Sequence, residues 1–387
     1  MSRPARRAAI ALSLALLAGC GTAAPAAPGP SASAPPGGTP FLATSLVTAG
    51  VTWAVVVMGG SVGSHDNFWQ LFVRPAASTR WKLVTPPGVA DNGGLVLAAN
   101  GGQSMITGFR PSQYLTYTPL TVTGDSGRAW SPAGPLNGAL ANVPDALAAA
   151  PATGRLLALL TSGTVQLAAR GYTRWSTLTS QRALAATPPG RRCGLTKLTA
   201  AAFTPTGIPL LAGTCSLRGA AGIFAATNRT WQASGPHLPA ALSRQPITVI
   251  RLTRTANQIT MLLKAGQGTD ASLIAAWSAD SGRRWAMSPP LPLHGATLSS
   301  TAFGPAGAVA VVLAGNRAQV LTRAGAAWRS LPALPPGTAT LAARPAGGFD
   351  ALAVRRTRLT IWRLRSGATA WHTTQVINVS IQFGSSG

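Results

Sequence analysis

The chain contains no glutamate. Its 387 residues hold seven acids, all aspartate (Asp66, Asp91, Asp125, Asp145, Asp270, Asp280 and Asp350), against 32 lysines and arginines, of which only Lys82, Lys197 and Lys264 are lysine. Chemistry that sets two differently tuned carboxylates around one substrate is short of material from the start. Tyrosine is confined to Tyr114, Tyr117 and Tyr172, and cysteine to Cys20, Cys193 and Cys215, without a histidine at ligand spacing. That excludes a disulfide-dense scaffold and a structural zinc site. No glycine loop sits in a strand-to-helix context to cradle phosphate, and no nucleophile elbow occurs, so neither metal nor cofactor is expected. Charged residues make up 10% of the chain and hydrophobic ones 46%, a balance foreign to disordered polymers. No apolar run is long enough to cross a bilayer as a helix.

Turn chemistry, by contrast, is abundant, with 43 glycines and 31 prolines, the punctuation of many short strands. Across it Trp81, Trp130, Trp175, Trp231, Trp285, Trp328 and Trp371 recur at intervals of roughly 43 to 56 residues, the spacing of propeller repeats. Each tryptophan opens the last strand of a segment that reads as four strands. The copy around Trp328 shows this best: Leu298 to Phe303, a Gly-Pro-Ala-Gly turn, Ala308 to Leu313, Ala318 to Thr322, then Trp328 to Leu331. The pattern predicts an all-β fold, a seven-bladed β-propeller of four-stranded antiparallel blades. It would fill 41–387 as one domain, because such repeats bury a core only when the full set is stacked. For closure, the expectation is that the tail from Val376 to Phe383 inserts as the innermost strand of the first blade, with Phe41 to Val47 competing for the place.

Two of the turns before the tryptophans are sharper than the rest, Thr123-Gly-Asp-Ser-Gly-Arg-Ala-Trp130 and Ser278-Ala-Asp-Ser-Gly-Arg-Arg-Trp285. In them Asp125 and Asp280 would accept from backbone N–H groups two residues on. Gly127 and Gly282 would take positive φ, and Trp130 and Trp285 would close the turn. These residues resemble the Asp box of sialidase-like and other BNR-repeat propellers, where the box is structural and lies on the blade periphery. The remaining turns keep Trp but carry Ala76, Arg170, Ala226, Arg323 and Ser366 where Asp would fall. The resemblance implies a sialidase catalytic set of an arginine triad, an Asp acid/base and a Tyr–Glu nucleophile. The absence of Glu and of an Arg-Ile-Pro-like segment in the first blade weighs against it.

The N-terminus reads as an export address. Arg3, Arg6 and Arg7 precede an apolar run from Ala8 to Ala18, and Leu17-Ala18-Gly19-Cys20 resembles the bacterial lipobox. The resemblance implies a signal peptide over 1–19 and lipidation of Cys20. Residues 20–40, rich in Pro, Ala, Gly and Ser, read as a tether reaching roughly 60 Å as polyproline or roughly 25 Å as coil. The expected location is the extracytoplasmic face of a bacterial cell membrane, held by acyl chains. Cys193 and Cys215 flank the Thr204-Pro-Thr-Gly207 turn almost symmetrically, which predicts a disulfide between facing strands.

In a four-stranded blade the tryptophan turns emerge on one rim, collecting Arg80, Arg128, Arg174, Arg229, Arg283 and Arg284. Longer loops emerge on the other, Ser176 to Gly194 among them. The channel mouth on that loop-rich rim is the expected ligand site, with His65, Asp66, Arg110, Arg191, Arg192, His237 and Asp270 as candidate contacts. Ser64-His65-Asp66 does not make a triad, since consecutive loop residues cannot present nucleophile, base and orienter in the required geometry. A net charge of +25 favours anionic partners, although an Arg-, Ala- and Gly-heavy composition also yields it without selection for binding. A nucleic-acid partner is disfavoured for an exported chain whose tryptophans are committed to packing. The reading is a binding or assembly module for an anionic envelope polymer or an envelope protein. The alternative is a degenerate sialidase-like glycoside hydrolase acting on envelope or extracellular glycans.

Overall fold

The computed structural model describes residues 42–59, 67–87, 94–109, 120–133, 144–217, 219, 221–227, 230–242, 244–255 and 257–380. Cys20, the tether, His65, Asp66 and Arg110 lie outside them. The chain runs as a succession of antiparallel four-stranded meanders. The first comprises Ala43–Thr48, Val51–Gly59, Asn67–Arg74 and Lys82–Leu83. Further blades begin with Leu95–Ala99, Pro144–Ala150, Leu195–Phe203, Ile247–Thr255, Leu298–Phe303 and Thr338–Ala343. The repeat tryptophan stands at or just before the outermost strand, as in Trp175–Ser180 and Thr230–Ala233.

Second strands such as Val51–Gly59 and Arg155–Leu160 are buried along almost their whole length. A strand covered by a neighbouring blade on each face has no wet side, so an unbroken run such as Val51-Thr-Trp-Ala-Val-Val-Val-Met58 replaces alternation. The core therefore lies between blades. Leu157 and Val165 pack with Phe203 and Leu211, Leu273 and Trp277 with Phe303 and Val311, and Leu341 and Ala351 with Ala310 and Val320. Val56 and Phe72 of the first blade pack with Leu352 and Ile361 of the last.

Indoles reinforce these joints. Nε1 of Trp130 donates to Val84 O at 2.9 Å, that of Trp285 to Ser234 O at 2.7 Å, that of Trp328 to Pro289 O at 2.9 Å and that of Trp371 to Pro332 O at 3.5 Å. Each acceptor belongs to the segment that follows the preceding blade's outer strand, so the indole ties two blades, and Trp285 also closes its own turn by donating to Gly282 O at 3.1 Å. The Asp turns also differ from the sequence expectation in reach. Asp125 Oδ1 accepts from the amides of Arg128 at 2.9 Å and Ala129 at 3.1 Å, and Asp280 Oδ1 from those of Arg283 at 3.1 Å and Arg284 at 2.8 Å. The donors lie three and four residues on because Ser126 and Gly127, with φ of 62° and 81°, and Ser281 and Gly282, with 64° and 90°, curl the chain back over the carboxylate.

The tail does not close the ring as expected. Ala43–Thr48 is the inner strand of the first blade, paired with Val51–Gly59. His372–Asn378 is the outermost strand of the last blade, paired with Arg358–Leu364. Among the described residues no strand is exchanged between first and last blades; a backbone hydrogen bond from Gly59 N–H to Arg356 O at 3.0 Å and a set of side chains hold the joint. Trp81 Nε1 donates to Asp350 Oδ2 at 3.0 Å, and Gln375 clamps the Trp81 backbone, accepting from its N–H and donating to its carbonyl, both at 2.8 Å. Asp350, fully buried, also faces Arg363 at 2.9 Å, Arg74 at 3.5 Å and Arg344 at 3.8 Å. Arg74 donates to Thr52 Oγ1 at 2.7 Å, and Arg363 crosses the joint to Thr79 O at 3.0 Å. Burial pushes the Arg74 guanidinium below its ordinary pKa while Asp350 pulls it back.

Two expectations follow from these contacts. Asp350→Asn leaves three guanidiniums facing one another without a counter-charge and should destabilise the fold by about 3–5 kcal/mol in denaturant titrations; a loss under about 1 kcal/mol would deny the joint its role. In the Asp turns, the Ala129 amide chiefly holds Asp125 below the usual carboxylate range, and the Arg284 amide does so for Asp280. A depressed folded-state pKa gives stability that is complete above the unfolded value and lost as pH falls through the folded one. The melting-temperature gap between wild type and an Asp125→Asn/Asp280→Asn variant should therefore stay level down to about pH 4 and close only below it.

Candidate functional site

Small residues dominate the inner strands, as in Asp145-Ala-Leu-Ala-Ala-Ala150 and Ala200-Ala-Ala-Phe203. Wherever inner strands converge around an axis, side-chain volume limits how closely they approach. Several also carry an extra residue against the second strand: the register slips at Thr199, Ile250, Ser299 and Ala339. Such bulges turn a strand and re-aim its side chains. The inner strands enclose a channel of about 200 Å³, lined by residues of Ala43–Thr48, Leu95–Ala99, Pro144–Ala150, Leu195–Phe203, Ile247–Thr255 and Leu298–Phe303. Thr338–Ala343 is left out of the wall, because Ala43–Thr48 pairs in parallel directly with Leu298–Phe303, from Ala43↔Ser300 to Leu46↔Phe303.

Arg251 is the distinctive group in this channel. It follows the bulge at Ile250, its Nη1 donates to Thr301 O at 3.2 Å and Thr301 Oγ1 at 3.0 Å, and its guanidinium lies 4.5 Å from the Phe303 ring centroid. Among the described residues no ion pair reaches Arg251. Some of its surface stays accessible, yet protein crowds the guanidinium enough that burial pushes its pKa down to about 9. Thr44, Thr199, Thr253, Arg254 and Asp145 complete the polar lining. A hydroxyl-lined channel around a guanidinium suits an oxyanion better than a cation. The sequence expectation omits Arg251, although a signal exists: Ile247-Thr-Val-Ile-Arg-Leu-Thr-Arg-Thr255 places an arginine where the matching strands carry Ala200, Ser300 and Thr340.

On the loop-rich rim, Ser176 to Gly194 is not the open loop expected. Trp175–Ser180 continues the blade, and helices follow at Gln181–Ala185 and Pro188–Cys193. Ser180 and Thr187 cap them by accepting from the amides of Ala183 at 3.1 Å and Gly190 at 3.2 Å. The Thr-Pro-Pro sequence was the readable sign, an N-cap followed by proline in the first turn. Cys193 and Cys215 are joined in a disulfide with Cα atoms 5.1 Å apart. Cys193 ends a helix rather than facing Cys215 from a strand; the residue opposite Cys215 in the ladder is Leu195. Arg191 and Arg192 are exposed on the second helix, His237 is exposed in the link after Thr230–Ala233, and Asp270 is exposed in the turn Gly268–Asp270. Among the described residues no hydrogen bond or ion pair joins any of these four to another. Groups of three or more His, Cys, Asp or Glu able to hold a metal are also absent among the described residues.

Nearly all-β architecture, four-stranded antiparallel blades and inner strands around a channel define a β-propeller-like protein. Solved structures share that fold: a provisionally assigned 6-phosphogluconolactonase from Bacteroides uniformis (TM-score 0.52, 13% identity, covering 84% of this chain and 96% of that one) and a protein from Lactobacillus plantarum (TM-score 0.51, 9% identity, 84% and 96%). A weaker likeness links it to YCF48 from Cyanidioschyzon merolae (TM-score 0.48, 12% identity, 82% and 94%). No protein-family model and no curated protein matches the sequence.

Removing the channel cation tests its role. Because folding lowers the Arg251 pKa, its desolvation penalty is complete below about pH 9 and fades as pH rises toward the ordinary value. Arg251→Met should therefore be at least as stable as wild type at pH 7 by chemical denaturation. A loss above about 2 kcal/mol would mark Arg251 as a strut held by Thr301 and Phe303 instead of a ligand group.

Proposed function

We propose that this chain is a lipid-anchored extracytoplasmic protein whose β-propeller, seven-bladed and related to the Asp-box propellers, is a recognition or assembly module for an anionic envelope polymer or an envelope protein. The observation that carries this reading is where the acids go. Asp125 and Asp280 are committed to turns, and Asp350 is buried in the joint between first and last blades. A glycosidase reading needs a pair of carboxyl groups about 5–10 Å apart across one substrate, and these three are bound to structural partners. Arginine, in contrast, is plentiful at the surface and present in the channel. Lipidation at Cys20 and the 20–40 tether would hold such a module clear of the bilayer within reach of envelope polymers.

Binding of the mature protein to fractionated envelope components should be saturable. It should weaken steeply as ionic strength rises from about 0.01 M to about 0.15 M, over which the Debye length contracts from about 30 Å to about 8 Å. Salt-insensitive binding to an envelope protein would favour the assembly role, and binding to neither would overturn the reading.

A further inference from the structure

The tie between blades through the repeat tryptophan changes at one place. Trp175 turns its indole N–H to Tyr172 O in its own turn, at 3.1 Å. Trp231 makes no indole hydrogen bond among the described residues, and its half-buried ring lines a cavity of about 400 Å³ on the tryptophan-turn rim. Trp175, also half-buried, lines a second cavity of about 340 Å³. Arg155 belongs to both, its guanidinium 5.9 Å from the Phe203 ring centroid, and Arg170 and Arg174 edge the second. None of these arginines takes part in the ion pairs described. Gly154 lets Arg170 pack close, since a Cβ there would lie 3.2 Å from its Nε. Thr153 of the second cavity reaches toward Gly207 of the first, its Cγ2 3.4 Å from where a Cβ on Gly207 would stand. The result is a paired groove with an indole in each half and a guanidinium between.

We propose that this groove, between the blades spanning 144–180 and 195–233, binds an acidic polysaccharide. Uronic-acid carboxylates pair with Arg155 and its flanking arginines, and sugar rings lie against Trp175 and Trp231. The C–H face of a pyranose packs on an indole, and a planar guanidinium engages a carboxylate through two parallel hydrogen bonds. Two adjoining cavities around one shared arginine suit a repeating ligand better than a single small anion. Concave, half-buried indoles suit sugar rings better than the open platforms on which nucleobases stack. The inference rests on the recognition-module reading and assigns it a site and a ligand class.

The test uses the full mature protein with polygalacturonate, dextran, polyphosphate and oligothymidylate as probes. The expected result is saturable binding of polygalacturonate, weaker binding of polyphosphate and oligothymidylate, and none of dextran. Arg155→Gln and Trp231→Leu should each lower polygalacturonate affinity about tenfold or more, a change of about 1.4 kcal/mol, and the exposed Arg317→Gln should not. Arg174→Gln, a change at an exposed side chain that leaves the core intact, should lower affinity as well and serves if the first two variants lose their fold. Wild-type affinity in the groove variants overturns this site but leaves the module reading intact. Preference for polyphosphate or oligothymidylate overturns the ligand class, and failure to bind any polymer overturns the proposal together with the polymer arm of the module reading.

Discussion

The architecture depends on one buried carboxylate. The joint between the first and last blades is held by a backbone hydrogen bond from Gly59 N–H to Arg356 O at 3.0 Å and by side chains that meet at Asp350. It accepts from the Trp81 indole and faces Arg74 from the first blade and Arg344 and Arg363 from its own. A lone carboxylate in such surroundings would be costly, and so would three guanidiniums without it. Together they exchange water for fixed partners, which makes the geometry unforgiving and the joint specific. Trp81 is only 1% exposed, unlike the other repeat tryptophans, because its indole is directed into that cluster instead of along the rim.

Elsewhere around the ring the same indole solves a milder problem. Adjacent blades meet largely through apolar faces, which specify proximity but not alignment, with backbone pairing added where Pro209–Cys215 meets Ile247–Thr255 and Ala43–Thr48 meets Leu298–Phe303. A tryptophan N–H that reaches a particular carbonyl of the preceding blade supplies a directional contact and fixes the stagger. At Trp175 and Trp231, where the contact is not made, cavities of about 340 and 400 Å³ lie on that rim, and a smaller one of about 220 Å³ lies beside Val84, where it is.

Much of this was legible in the chain before any coordinates. Tryptophan spacing and glycine–proline turns announce repeated four-stranded units, and the burial of second strands follows from their unbroken apolar runs. The illegible parts are those set by distance in space. Gly348-Phe-Asp-Ala351 looks like any turn entering a strand, and nothing local says that Asp350 meets Trp81 from 269 residues away. The reach of Asp125 to Ala129 depends on two consecutive positive φ values, which a residue count does not show. The bulge at Ile250 shifts strand parity, so alternation alone does not aim Arg251. On the loop-rich rim, His237, Asp270, Arg191 and Arg192 are exposed and not joined to one another among the described residues, while the aromatic and cationic side chains that share cavities belong to the tryptophan turns.

The Asp350 cluster also sets an order of events for a growing chain. Trp81 and Arg74 are made early, but the carboxylate that receives them arrives only after nearly all the intervening blades. Domains generally fold as units from the N-terminal end during synthesis, yet here the first blade cannot reach its final neighbour until the last one has emerged. A product that stops before Thr338 would keep the parallel pairing of Ala43–Thr48 with Leu298–Phe303 but lack the contacts at Asp350. The contacts of the first blade with Asp350 therefore become available only after its pairing partner Leu298–Phe303 has been made.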